Sequence, residues 1–411
     1  MSLVPLEDVQ AEILARVTPL DPVDVPLGDA LGLTLAADVT TTEDVPPFAN
    51  TAMDGYALRA ADTVGATADA PVRLHVVDEL PAGRAPTRRV GAGEAIRIMT
   101  GAPMPDGADA VLMVERTRRD GADGVLADAE ARPGDHVRPA GGDLAAGATV
   151  FTAGTVLGAP HLGVLASVGV VTVHATRRPR VGVFSTGDEL VAPATPGPLA
   201  PGHIRDSNRP MLLALVADAR CEPVDLGIVA DDEASTVAAL DDGAARCDVV
   251  LTSGGVSMGE YDYVKVALER LGSLHARRVA IKPAKPLAYG FVRGVPVFGL
   301  PGNPVSSLVA FECFARPALL ARLGRSDRFR PEVTARAEHE FARRPDGRLH
   351  LDRVRLRVTD DGYVAARTGA QASNLLAASA SANGLARVPD GNGVPAGAPI
   401  RVLRLDGVAD H

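Results

Sequence analysis

Apolar residues at Leu6, Val9, Ile13, Leu14 and Val17 recur at helical spacing near the start of the chain. They predict an amphipathic helix there. From about Pro71 to Glu115 the period shortens. The runs "VRLHVV", "AIRIM" and "AVLMV" are separated by Gly/Pro turns and read as strands. Turns and short strands continue through Arg138–Leu157, and a helix is expected over His161–Ser167. At Arg177 the pattern changes again. Strands at Val181–Phe184, Val224–Val229, Val249–Thr252 and Val295–Leu300 alternate with helices at Asn208–Asp218, Glu233–Arg246, Tyr261–Leu271 and Pro304–Leu323. Such alternation predicts right-handed βαβ units and a mostly parallel sheet. After Gly324 short strands return, to the end, as in a small β domain.

Composition narrows the classes. A chain of 411 residues exceeds one core and predicts several domains. Hydrophobic residues make up 46%, enough for several cores. Aromatics are only 3% and Trp is absent, so the cores rest on Val, Leu, Ile and Ala, and base stacking on aromatic side chains is disfavoured. A formal charge of −9 argues against a nucleic-acid surface. An anionic ligand must therefore meet a local basic pocket or a metal. Cys221, Cys247 and Cys313 are widely spaced and odd in number, which predicts buried free thiols in a reducing cytoplasm. The nine histidines form no HxH or HExxH, which disfavours a zinc site. No apolar run approaches the ~18 residues of a membrane span. The start, "MSLVPLEDVQAEIL", lacks the basic region of a secretion signal.

Ligands of an open parallel sheet bind outside the C-terminal strand ends. Three loops fall there. "STGDEL" offers Ser185 and Gly187. "TSGGVSMGEYD" offers Ser253, Gly254, Gly255, Ser257 and Gly259. "LPGNPVSS" offers Pro301, Gly302, Asn303 and Ser306, with Asn303 as helix N-cap and Pro304 in the first helical position. Glycine loops that feed helices cradle phosphate on backbone N–H groups, whereas any one alone could be a plain turn. The second loop lacks a GxxxxGK[ST] lysine and carries acids instead. Glu260 reads as a helix-dipole acid. Glu189 and Asp262 would repel phosphate unless a hard cation lay between, and Mg²⁺ takes one or two carboxylates plus phosphate oxygens. In "IKPAKPLAYG", Pro283 and Pro286 stiffen Lys282 and Lys285. The pair suits a small oxyanion or is simply a solvated basic loop; residue chemistry does not choose. Asp54 in "NTAMDGYAL" could make an Asx turn, and Thr100 sits at a strand-to-loop transition.

Together the strings "NTAMDGYA", "RIMTGAPMPDGADAVLMVE", "VRPAGGD", "STGDEL", "DSNRPML", "TSGGVSMGEYDYVK", "IKPAKPLAYG" and "FGLPGNPVSS" resemble the molybdopterin molybdenumtransferase (MoeA) family, in order and over nearly the whole chain. "QASNLLAASASANGL" is similar to its C-terminal signature. The resemblance implies a multidomain α/β plus β fold. Residues 1–44 with 140–176 form a discontinuous first domain, and 45–139 an inserted β-rich domain. Residues 177–325 form a central doubly wound molybdopterin-binding α/β domain, and 326–411 a small C-terminal β-barrel-like domain. It further implies a homodimer that inserts molybdate into adenylated molybdopterin and releases AMP with Mg²⁺, supplied by a molybdopterin adenylyltransferase upstream. Carried over by motif, Asp54, Thr100, Asp143, Glu189 and Asp262 belong to the catalytic cleft, with Glu189 and Asp262 as metal ligands. Lys282, Lys285 and Pro286 match the molybdate pocket, completed by Arg353 and Ser373. Two positions depart from the family pattern: Ala284 stands where glycine is usual, and Arg205 where an aromatic is common. The alternatives are a molybdopterin adenylyltransferase and a non-catalytic scaffold like gephyrin.

Overall fold

The protein is described from a computed structural model over residues 2–255 and 262–405. The readings at Ser257, Gly259 and Glu260 lie outside these residues. The chain forms two compact units. One comprises Met1–Val25, Gly32–Ala36 and His174–His411; the other comprises Pro26–Leu31 and Ala37–Val173.

The first unit is built on a seven-stranded sheet. Its order is Leu3–Val4, Gly272–Val279, Pro286–Val292, Val295–Leu300, Val249–Ser253, Arg180–Thr186 and Glu222–Val229. The last four strands are parallel, as alternation with helices requires. Pro286–Val292 runs antiparallel to both of its neighbours, so the sheet is mixed. The Gly272–Val279 strand escapes the sequence pattern because its "GSLHARRV" mixes charge and apolar residues with no clean alternation.

Helices Asn208–Asp218 and Glu233–Arg246 have the expected bounds. The second is capped by Asp232, whose carboxylate accepts the Ser235 N–H at 2.8 Å. The N-terminal helix covers Leu6–Leu14, shorter than the apolar spacing suggests, although Val17 stays buried beyond it. Pro304–Arg322 is one continuous helical stretch with a π turn at Phe311–Ala315. It is long and apolar enough by length and composition to cross a membrane, which the chain was not expected to contain. It is 89% buried within the fold, so it serves as a core helix.

Strand alternation sorts the core onto two faces. Val181, Val183, Leu251 and Phe298 pack with Leu6, Val9, Ile13, Phe311, Phe314 and Leu319. Phe184, Val250 and Val297 point the other way, to Leu240, Val264 and Leu268. Helices thus cover both faces, which is the doubly wound arrangement.

In the same unit, Leu349–Thr359 pairs with both Gly362–Arg367 and Gly384–Val388. Glu332–Ala337 and Pro399–Arg404 complete the circuit, so this sheet closes into a small barrel around Phe341, Val354, Val388 and Val402. Ile281–Lys282 joins it in parallel beside Leu349–His350, which fixes the lysine segment to the barrel.

The second unit is β-rich. Its six-stranded sheet runs Thr117–Asp120, Gly124–Ala127, Val72–Leu80, Glu94–Ile98, Gly55–Leu58, Ala110–Met113, over a core that includes Tyr56, Leu58, Leu74 and Val125.

All three cysteines are free and buried. Burial pushes the Cys221 and Cys313 thiols up to about 12, so they are poor nucleophiles.

Candidate functional site

A cavity of about 750 Å³ opens at the C-terminal ends of the parallel strands. The three loops meet there. Gly187 and Glu189, then Ser253, Gly254 and Gly255, then Pro301, Gly302 and Asn303 all line it. Gly254 has φ +102°, and a Cβ there would lie 2.4 Å from the Thr186 carbonyl oxygen. Only glycine fits that approach. The Gly254 N–H donates to Leu300 O at 3.0 Å, tying the second loop to the third. Asn208 Nδ2 reinforces this link by donating to Ser253 Oγ at 2.8 Å and to Gly302 O at 2.7 Å. Asn303 occupies the expected N-cap position, but its side chain makes no capping hydrogen bond.

The acids divide by role. Glu189 is exposed in the cavity wall, and its carboxylate lies over Gly187, where a Cβ would come within 2.6 Å. Asp231 shares the wall and accepts the Thr186 hydroxyl at 3.0 Å. Asp206 is buried and occupied. It accepts from Ser185 Oγ at 3.1 Å and Arg209 Nε at 3.0 Å, and Arg209 continues to Asp225 at 2.5 Å. Ser185 therefore supports the wall from behind and does not line it. Asp262 stands at the N-cap position of Tyr263–Leu271, only 6% exposed, and is absent from the cavity wall among the described residues. Its Oδ2 pairs with Lys265, while Oδ1 has no hydrogen-bond partner among the described residues. Burial raises its pKa, and the Lys265 contacts offset this only in part.

A second cavity, of about 700 Å³, brings Lys282, Lys285, Pro286, Ser306 and Ser373 together with Arg348 and His350. Pro286 and Asn374 line both cavities. Neither lysine's ammonium group makes a hydrogen bond or ion pair among the described residues. Ala284 between them has φ +67°, a left-handed conformation that glycine adopts without penalty. That is the physical content of the glycine usual at this place in the family.

Arg353 lines neither of these cavities. It is 1% exposed, and its guanidinium donates to the carbonyls of Leu375 (2.5 Å), Ala370 (2.8 Å) and Ala372 (3.2 Å). It clamps the loop that carries Ser373 and Asn374, where a direct ligand had been expected. In the β-rich unit Asp54 and Thr100 are hydrogen-bonded partners, while Asp143 is exposed and uses its N–H on Val45 O at 2.9 Å.

Sequence reasoning missed Asn208, Asp231, Asn374, Arg348 and His350. Asp231 had a usable signal, since "VADDE" follows the C-terminal end of a parallel strand like the other three loops. Arg348 and His350 had none, because they reach the lysines only through barrel pairing.

Three families match along the chain: the "MoeA N-terminal region (domain I and II)" over residues 4–169, a "probable molybdopterin binding domain" over 182–321, and the "MoeA C-terminal region (domain IV)" over 334–405. A protein named molybdopterin molybdenumtransferase 2 from Mycobacterium tuberculosis (strain ATCC 25618 / H37Rv) is 42% identical over 375 residues, 90% of this chain and 91% of its own. The molybdopterin molybdenumtransferase of Nostoc sp. is 38% identical over 93% of this chain and 88% of its own. A crystal structure of the molybdopterin biosynthesis MoeA protein from Pyrococcus horikoshii superposes with a TM-score of 0.82 at 33% identity, covering 99% of this chain and 100% of that one. With matched regions in this order and relatives aligned nearly end to end, the chain belongs to the MoeA family of molybdopterin molybdenumtransferases.

Proposed function

We propose that this enzyme inserts molybdate into adenylated molybdopterin and releases AMP, with Mg²⁺ bound at the acid-lined cavity. One observation carries the reading. A cavity lined by glycine loops and acids adjoins a cavity lined by lysines whose ammonium groups have no partner among the described residues, with Pro286 and Asn374 common to both. The substrate needs both chemistries: a phosphate linkage and a place for a tetrahedral oxyanion.

The residues divide the work accordingly. Backbone N–H groups of the loops around Gly187, Gly254 and Gly302 hold the phosphates, at no cost in side-chain entropy. Lys282 and Lys285 neutralise molybdate, a compact dianion, through charge-assisted hydrogen bonds. Ser306 and Ser373 supply neutral donors in the same wall. Two of Glu189, Asp231 and Asp262 would hold Mg²⁺, and Asp262 Oδ1 has no hydrogen-bond partner among the described residues. Among the described residues no group of three metal-ligating side chains exists. That fits Mg²⁺, which takes one or two carboxylates and fills its shell with phosphate oxygens and water. When bound, the ion neutralises phosphate charge and polarises the linkage that is cleaved.

The same reading makes the protein a cytoplasmic homodimer fed by a molybdopterin adenylyltransferase. Mixed Asp54→Ala and Asp262→Ala chains should then recover part of the activity that each lacks alone. The function itself is tested by incubating the protein with adenylated molybdopterin, Mg²⁺ and molybdate, following AMP and active cofactor together. Coupled appearance of both supports the reading. AMP without cofactor at saturating molybdate, or ATP consumption in the absence of molybdate, overturns it; the latter would point to adenylyl transfer.

A further inference from the structure

Beyond the lysine cavity lies a third one, of about 460 Å³ and more open to solvent. Lys282, His350, Asp352 and Gln371 line both, so the two are continuous. Its cations are not equivalent. Arg343 is spent on Asp346, Asp390 and backbone carbonyls of Arg348 and Val388. Arg367 pairs with Asp352 and lies over the Phe341 ring. Arg344 is different: it is exposed, and its guanidinium makes no hydrogen bond or ion pair among the described residues. Nor is Lys282, the next cation inward, paired. His350 Nε2 donates to the Asp346 carboxylate at 3.1 Å and is held below its ordinary pKa, mainly by burial, so it adds no full charge near neutral pH. The uncompensated charge therefore runs in a line from Arg344 to Lys282 to Lys285, while the inner cavity wall carries Glu189, Asp206 and Asp231.

A chain of net charge −9 repels a dianion at long range. A row of unpaired cations leading into one cleft reverses that locally and focuses the field. We propose that the outer cavity is the entry vestibule for the oxyanion substrate, with Arg344 as its capturing charge. The inference rests on the assignment of the lysine cavity to molybdate. It gives Arg344 a part in admission, through charge alone, without contact with the reacting atoms.

The test uses the full-length protein with Arg344→Glu, Arg344→Lys and the Lys282→Ala/Lys285→Ala pair. Molybdate affinity is measured by calorimetry, and kcat/KM for molybdate at sub-saturating concentrations. At ~0.01 M ionic strength, where the Debye length is ~30 Å, Arg344→Glu should lower kcat/KM by roughly tenfold. At ~1 M the difference should fall below about twofold. Arg344→Lys should match the wild type at both salts, since a point charge suffices. A salt-independent loss in Arg344→Glu, no loss at low salt, or failure of lysine to substitute each overturns the vestibule. The outcome is separable from the parent reading. If the double-lysine variant binds molybdate as the wild type does, the lysine cavity itself is misassigned. If that variant loses binding while Arg344→Glu behaves as wild type, only the vestibule fails.

Discussion

Asp54 Oδ1 accepts two hydrogen bonds from a single residue, the Thr100 N–H and the Thr100 hydroxyl, each at 2.7 Å. The Thr100 N–H bond and then the hydroxyl bond hold the Asp54 carboxyl below its ordinary value, with a smaller pull from Arg97. Thr100→Val removes the hydroxyl and keeps the N–H. Asp54 should then titrate closer to its ordinary value in a carboxyl NMR titration. The pKa is depressed in the fold, so the pair's stabilisation is present above the unfolded value and is lost as pH falls through the folded one. An unchanged Asp54 titration in the variant would remove the hydroxyl from the account.

Asp262 has the opposite sign. Its raised pKa means that the folded protein binds this proton more tightly than the unfolded chain does. The ionised carboxylate therefore costs stability above the raised pKa, and the cost vanishes below the unfolded value. Asp262→Asn should melt no lower than the wild type at neutral pH, while turnover falls by roughly 100-fold or more, as expected for loss of several kcal/mol of metal-centred stabilisation. The wild-type rate should decline on the acid side as the Asp262 carboxylate takes up its proton, and the variant should lack that limb. A variant that is both less stable and fully active would contradict the assignment.

Arg353→Met should destabilise the protein by about 3 kcal/mol, because the buried guanidinium's hydrogen bonds to the 370–375 loop are lost. Molybdate binding should weaken with it, as Ser373 and Asn374 ride on that loop. Amide exchange in the loop should accelerate. Loss of molybdate affinity with unchanged melting and unchanged exchange would instead place Arg353 in direct contact with the oxyanion.

Gly254→Ala puts a methyl at 2.4 Å from the Thr186 carbonyl at φ +102°. The loop must move or strain by about 2–3 kcal/mol. Affinity for adenylated molybdopterin should drop at least tenfold, while calorimetric binding of molybdate alone changes little. Equal losses of both ligands would mean that the two cavities do not act separately.

Much of this site was legible because its parts are local. Strand, glycine loop and helix start are adjacent in sequence at Leu300–Ser307, and strand and glycine loop at Ser185–Leu190, so their meeting at one sheet edge follows from parallel topology. The helix bounds at Asn208–Asp218 and Glu233–Arg246 were readable for the same reason. What stayed hidden depends on pairing between distant segments. Lys282 meets His350 because Ile281–Lys282 adds to a barrel strand nearly 70 residues on in the numbering. Arg353 reads as a candidate ligand until its guanidinium's five hydrogen bonds are seen, to three nearby carbonyls, Gln371 and the Ser379 hydroxyl. The antiparallel hairpin over Gly272–Val292 was hidden by its charges and prolines.

The two edges of the seven-stranded sheet also bear on how copies of the chain can associate. At one edge the two-residue strand Leu3–Val4 lies along Gly272–Val279, whose outer run includes His275, Arg277 and Arg278. At the other, Glu222–Val229 brings Pro223, which has no N–H to offer, and Asp225. Charge and proline along an edge disfavour the addition of a further strand. Joining of copies by extending this sheet is therefore disfavoured, and any contact between them made by this unit must be written in side chains, where single substitutions can tune it without unravelling the sheet.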